Sequence, residues 1–215
     1  MKIPPEIERY ILEHSDTQDP VLAELERETS LKVINPRMLS GHLQGEILAM
    51  LSKMIRPVSV LEIGTFTGYS AICLARGLRP GGRLTTIEAN DELETIAARY
   101  FEKAGLKEVI DQRIGTALEI LPTLEGPFDL VYIDADKREY VAYYQMIFDK
   151  VTPGGWILAD NTLWDGKITG NIEMADHQTR GILEFNNLVA GDPRVEKIIL
   201  PVRDGISIIR KKEIS

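Results

Sequence analysis

The chain has 215 residues, 44% of them hydrophobic and 27% charged, which fits one soluble domain able to bury a sizeable core. A formal net charge of −8 argues against a protein built mainly to hold a nucleic acid backbone. Cys73 is the single cysteine, so no intrachain disulfide forms, and no uncharged run approaches membrane-spanning length.

Residues 5–31 carry an amphipathic helical pattern (Ile7, Tyr10, Ile11, Leu12, then Val21, Leu22, Leu25), broken at Asp19-Pro20, where a second helix starts. Glu6, Glu8 and Glu13 lie where a signal peptide would be apolar, so a cytoplasmic protein is expected. Ser40 is the expected N-cap of a further helix through Leu43, Ile47, Leu51 and Ile55. Residues up to about 55 thus form a helical appendage ahead of the first strand.

Val58 to Ile63 is an apolar, β-branched run, followed by Gly64, Thr65 and Gly68 and then by the apolar helical pattern Ala71, Ile72, Leu74, Leu78. A buried parallel strand, a tight turn and a helix are expected, with a ligand over the two glycines. Cys73 falls inside that helix and reads as a buried structural thiol. The glycine spacing is not the G-x-G-x-x-G of dinucleotide folds, and Glu62 would repel a pyrophosphate. It suits a ligand carrying positive charge, such as S-adenosylmethionine with its ammonium and sulfonium.

Pro80-Gly81-Gly82 is a turn into a second strand, Arg83 to Glu88. Glu88 follows Gly68 at the offset where an acid receives ribose hydroxyls, although a solvated strand end is the plainer alternative. A helix over 91–104 ends at Gly105. The third strand covers 109–114, and Gly115-Thr116-Ala117 opens the next helix. The fourth strand, Phe128 to Asp134, leads through Lys137 into a helix with Tyr140, Tyr143 and Ile147. Pro153-Gly154-Gly155 is a turn before a fifth strand, Trp156 to Asn161. The polar loop 163–175 is placed to act as a lid. A helix over 176–189 precedes two antiparallel edge strands, 195–200 and 206–210, joined through Asp204-Gly205. Strands alternating with helices make an α/β fold with a mostly parallel sheet and a C-terminal antiparallel hairpin.

Four strands end in acids: Glu62, Glu88, Asp134 and Asp160. A doubly wound sheet brings these ends to one face. Asp134, Asp160 and Asn161 offer only hard oxygen donors, which suit Mg²⁺ or Mn²⁺; the alternative is that each Asp merely caps the segment after its strand.

The composite resembles the class I S-adenosylmethionine-dependent, divalent-cation-dependent O-methyltransferases of the caffeoyl-CoA and catechol type. The residues that carry the likeness are Leu61 through Ser70, Ile133-Asp134-Ala135-Asp136-Lys137, Asp160-Asn161-Thr162-Leu163-Trp164, and Asp192-Pro193-Arg194 through Leu200-Pro201-Val202. The resemblance covers the chain from about Met38 onward. It implies a single Rossmann-like domain with a seven-stranded sheet. It implies that Glu62, Ser70, Glu88 and Ala117 line the S-adenosylmethionine pocket, with backbone help from Ser40, Gly64 and Thr65. It implies that Asp134, Asp160 and Asn161 hold Mg²⁺ (or Mn²⁺ or Ca²⁺), that Asp134 also lies near the methionine part of the cofactor, and that Lys137 is catalytic. A small-molecule hydroxyl acceptor and a homodimer follow from the same likeness.

An ordinary lysine, with a pKa near 10.4, is too basic to rest neutral at pH 7. Lys137 therefore either has its pKa lowered or acts by orienting the acceptor anion. Two positions depart from the plant pattern: Asp165 stands in place of Asn, and Arg203 in place of Gly in a V-G-D-G turn. Two competing readings remain at this stage. One is a tRNA-modifying O-methyltransferase using Lys137, Arg138, Lys167 and Arg180 as a basic surface. The other is a non-catalytic interaction protein on the same scaffold.

Overall fold

The computed structural model describes residues 4–170 and 175–213. Three helices come first: α1 (Pro5–Glu13), α2 (Pro20–Lys32) and α3 (Gly41–Ile55). α2 starts at Asp19-Pro20 as expected, and Asp19 caps it, its Oδ1 accepting from the Val21 and Leu22 amides at 2.8 and 3.3 Å, with Pro20 in the first turn. The expected Ser40 cap does not form. Ser40 has helical dihedrals (φ −57, ψ −40) and makes no capping bond. A capping hydroxyl reaches the first amides only from an extended backbone.

The sheet comprises β1 (Ser59–Ile63), β2 (Arg83–Glu88), β3 (Ile110–Ile114), β4 (Phe128–Ile133), β5 (Val151–Ala159), β6 (Val195–Leu200) and β7 (Ile206–Lys211). Its order is β3-β2-β1-β4-β5-β7-β6. β1 to β5 run parallel, and β7 is antiparallel to both β5 and β6. Of the C-terminal hairpin only β6 is therefore an edge strand, opposite β3 at the other edge; β7 lies inside the sheet. The crossover direction reverses between β1 and β4, the place where such sheets open a crevice.

Helices cover both faces, so the central strands are apolar on both sides. Leu61, Ile63, Val131, Ile133 and Ile157 pack into a core shared with α7 (Tyr140–Phe148) and α8 (His177–Gly191), next to α6 (Ala117–Ile120). Val60, Leu84, Leu130, Tyr132 and Leu158 face the other way, toward α2, α3, α4 (Tyr69–Ala75) and α5 (Glu94–Lys103). Cys73 is fully buried in α4, and burial pushes its thiol up to about 12.

β5 begins at Val151, five residues before the expected start. Phe128 pairs with Val151 and Leu130 with Trp156, so Pro153-Gly154-Gly155 form a bulge inside the strand instead of a turn before it. Gly154 takes φ +80 there. The expected lid loop begins as a short 3-10 segment, Trp164–Thr169. Residues 171–174 of that loop lie outside the described residues.

Candidate active site

Sheet register builds the site. Ile87, Ile63, Ile133 and Ala159 are aligned on β2, β1, β4 and β5. One residue further along, the same four strands present Glu88, Gly64, Asp134 and Asp160 in a single row. Each has the parity of the residues facing α3 to α5, so the three acids share one side of the sheet. Gly64 is the gap in the row. It adopts φ +103, and a Cβ there would lie 2.1 Å from the Asp134 carbonyl oxygen. Only glycine allows the β1 and β4 ends to close up this tightly.

A cavity of about 1270 Å³ opens above this row. Ser40, Gly64, Thr65, Ser70, Glu88 and Ala117 are among the residues that line it. Glu88 is oriented by the Phe66 amide on Oε2 (2.7 Å) and the Asn90 amide on Oε1 (2.9 Å). Each oxygen keeps a lone pair, which is what a vicinal diol requires. Glu62 differs from the other predicted residues: it is not part of the lining. It lies one step below Gly64, level with Thr86 and Tyr132, and is fully buried. Its Oε2 accepts from Thr86 Oγ1 at 2.5 Å, and Thr86 Oγ1 lies 2.5 Å from Thr65 Oγ1 in turn. Burial pushes the Glu62 carboxyl up to about 8, opposed by the Ser70 and Thr86 hydroxyls and reinforced by the charges of Asp134 and Glu88. Its Oε1 has no partner at hydrogen-bond geometry.

Asp134, Lys137, Asp160 and Asn161 line the same cavity. Asp160 is 3% exposed. Burial, and then the negative charge of Asp134, push its carboxyl up to about 7. Two carboxylates lining one cavity, with an amide oxygen in the next residue, are a donor set that suits a hard dication. Among the described residues no group of three His, Cys, Asp or Glu side chains converges on a metal site. A cation held here would have two carboxylates and the Asn161 side chain from this chain, and other oxygens would have to complete its shell.

Lys137 is 7% exposed; its Nζ donates to Asp134 Oδ1 at 2.7 Å and to the Tyr140 hydroxyl at 2.9 Å. Burial alone would favour the neutral amine, but the Asp134 carboxylate and the Tyr140 oxygen overcome it and hold the ammonium charged. Of the two roles open to Lys137 at the sequence level, a resting base is the one this geometry opposes.

Sequence reasoning assigned no role to four residues that the structure brings to this site. Tyr140 ties the strand ends together, its hydroxyl lying 3.2 Å from both the Ile133 and Asp160 carbonyl oxygens. Gln44 and Tyr132 both donate to Asp160 Oδ2, at 2.5 and 3.1 Å. Arg203 reaches Gln44 from the connection between β6 and β7. A signal existed for Gln44: it opens the buried stripe Gln44, Gly45, Leu48, Ala49, Ser52 on α3, where a polar residue needs a partner.

Comparison with known proteins agrees with this geometry. The O-methyltransferase family model matches residues 12–212. A caffeoyl-CoA O-methyltransferase from Eucalyptus gunnii is 35% identical, over 96% of this chain and 88% of that protein. One from Petroselinum crispum is also 35% identical, over 94% and 89%. Among solved structures, an O-methyltransferase from Bacillus cereus in complex with SAH superposes with TM-score 0.90 at 32% identity, covering 96% and 97% of the two chains. TomG from Streptomyces achromogenes, an O-methyltransferase of tomaymycin synthesis in complex with SAM, gives TM-score 0.90 at 29% identity over 96% of each. With two curated relatives above a third identity and a family model spanning nearly its whole length, this chain belongs to the O-methyltransferase family.

Proposed function

We propose that the protein uses S-adenosylmethionine to methylate a hydroxyl of a catechol-like or hydroxycinnamoyl small molecule, with a divalent cation held by Asp134, Asp160 and Asn161. The observation that carries this reading is the row Glu88, Gly64, Asp134, Asp160 under one cavity. The cofactor supplies a methyl group on a sulfonium, and the cation supplies positive charge that favours the ionised form of the acceptor. The chain's own residues do the rest. Glu88 accepts from the ribose hydroxyls, and Gly64 lets the cofactor approach the backbone. Lys137, charged and pinned by Asp134 and Tyr140, orients the acceptor oxygen by donating to it. Trp164 lines the cavity with its indole N–H held 3.1 Å from Thr179 Oγ1.

The tRNA alternative has no observation in its favour. Of the four cations on which it rests, Lys137 is buried, Arg138 is paired with Asp136, and Lys167 lies 3.7 Å from Asp176. We also infer a cytoplasmic homodimer. α1 buries none of its residues and leaves Ile7 and Tyr10 exposed, and no described helix is long and apolar enough to cross a membrane.

The test is methyl transfer from labelled S-adenosylmethionine to catechols, caffeoyl-CoA and bulk tRNA. Turnover of a small phenol is expected, lost with a chelator and restored by Mg²⁺ or Mn²⁺. Full activity of the chelated enzyme on a catechol would remove the cation from the reading.

A further inference from the structure

The connection between β6 and β7 carries an arginine where the plant pattern has glycine. Arg203 keeps the glycine-like backbone, with φ +48, and turns its guanidinium toward the start of α3. There Nη1 donates to the Ser40 carbonyl, to the Leu39 carbonyl at 3.3 Å, and to Gln44 Oε1 at 3.0 Å. A guanidinium only donates, so the oxygen of the Gln44 carboxamide must face Arg203 and its nitrogen must face away. Facing away, Nε2 meets Asp160 Oδ2 at 2.5 Å and the Tyr132 hydroxyl at 3.1 Å. The Tyr132 hydroxyl donates to the same Oδ2 at 3.1 Å, and the Asn161 amide donates to Oδ1 at 2.7 Å.

A carboxylate has about four lone-pair positions. Three donors fill both positions on Oδ2 and one on Oδ1. We propose that Arg203 is a positioning residue for Asp160: by fixing the Gln44 carboxamide it leaves the carboxylate a single free lone pair, on Oδ1, as its point of attachment to the cation. The inference rests on the metal reading above. Without Arg203 the carboxamide is free to rotate, which withdraws the Nε2 donor from Oδ2 and leaves the carboxylate without one fixed point of attachment for the cation.

The experiment is a titration of the full chain with Mn²⁺, free ion being read by electron paramagnetic resonance, for wild type, Arg203→Gly, Arg203→Lys, Gln44→Leu and the double variant Arg203→Gly/Gln44→Leu. Glycine suits the backbone at 203, and retained S-adenosylhomocysteine binding by calorimetry reports that each variant folds. Partners that orient a metal ligand typically contribute about 10–100-fold in metal affinity. Arg203→Gly is expected to weaken Mn²⁺ about 10-fold or more. Arg203→Lys, which still donates to Gln44, should recover part of that. The double variant should bind no more weakly than Gln44→Leu alone. Wild-type affinity in Arg203→Gly, or losses that add in the double variant, would overturn the positioning role. Wild-type chain that binds S-adenosylhomocysteine but no Mn²⁺ would overturn the metal reading itself, and this inference with it.

Discussion

Lys137 and Gly64 are the positions where one side chain decides the most. The ammonium of Lys137 is fixed by Asp134 Oδ1 and Tyr140. Removing it should cost kcat and leave the cofactor subsite alone. Lys137→Met is expected to lower kcat about 10²–10³-fold with S-adenosylhomocysteine affinity unchanged, as stopped assays and calorimetry would read. An unchanged kcat would take Lys137 out of the chemistry. Gly64→Ala asks for a Cβ 2.1 Å from a backbone oxygen at φ +103. We expect a loss of about 3 kcal/mol in stability, visible as a lower Tm, together with loss of cofactor binding. Gly64, Glu88, Asp134 and Asp160 were all legible as strand ends, because the residue after a buried strand is easy to find in a sequence. Glu62 was legible as an acid but not as a buried one. Its depth depends on the register between β1, β2 and β4, which no single strand encodes.

α2 shows how an element outside the sheet is fastened to it. Leu22, Leu25 and Thr29 are its buried residues, and Thr29 Oγ1 donates to Thr67 Oγ1 in the glycine turn at 3.1 Å. Glu28 accepts from the Tyr100 hydroxyl and Arg99 at 2.7 Å each and from Lys32 at 3.0 Å. The Tyr100 hydroxyl first, then Arg99 and Lys32, lower its carboxyl to about 2 from an ordinary 4.5. A depressed carboxylate contributes stability above its unfolded pKa and loses it as pH falls through the folded one, here from about 4.5 toward about 2. Glu28→Gln should therefore lower Tm at pH 7, by a few degrees for about 1–2 kcal/mol, and the gap to wild type should narrow at pH 3.5. A gap that is equal at both pH values would contradict this. The start of α2 was legible from Asp19-Pro20, since a cap is local chemistry. The start of β5 was not, because Pro153-Gly154-Gly155 satisfies the rules for a turn. Only pairing with β4 converts it to a bulge.

At the scale of the whole molecule, the sheet covered on both faces was the most legible feature, since apolar runs alternating with helical periods permit few other arrangements. The links between distant segments were hidden. Arg203 and Gln44 are 159 positions apart, and the hydrogen bond between them is made only by the finished topology. Self-association belongs to this scale as well. Sedimentation is expected to give twice the 24.1 kDa chain mass, and a single-chain mass at working concentration would dismiss the dimer. The sealed thiol of Cys73 has a practical consequence. With burial raising it to about 12, it should ignore maleimides and mild oxidants while the fold is intact. A fluorophore or spin label attached through a cysteine engineered on the surface would then report from that site alone, with the native residue left in place.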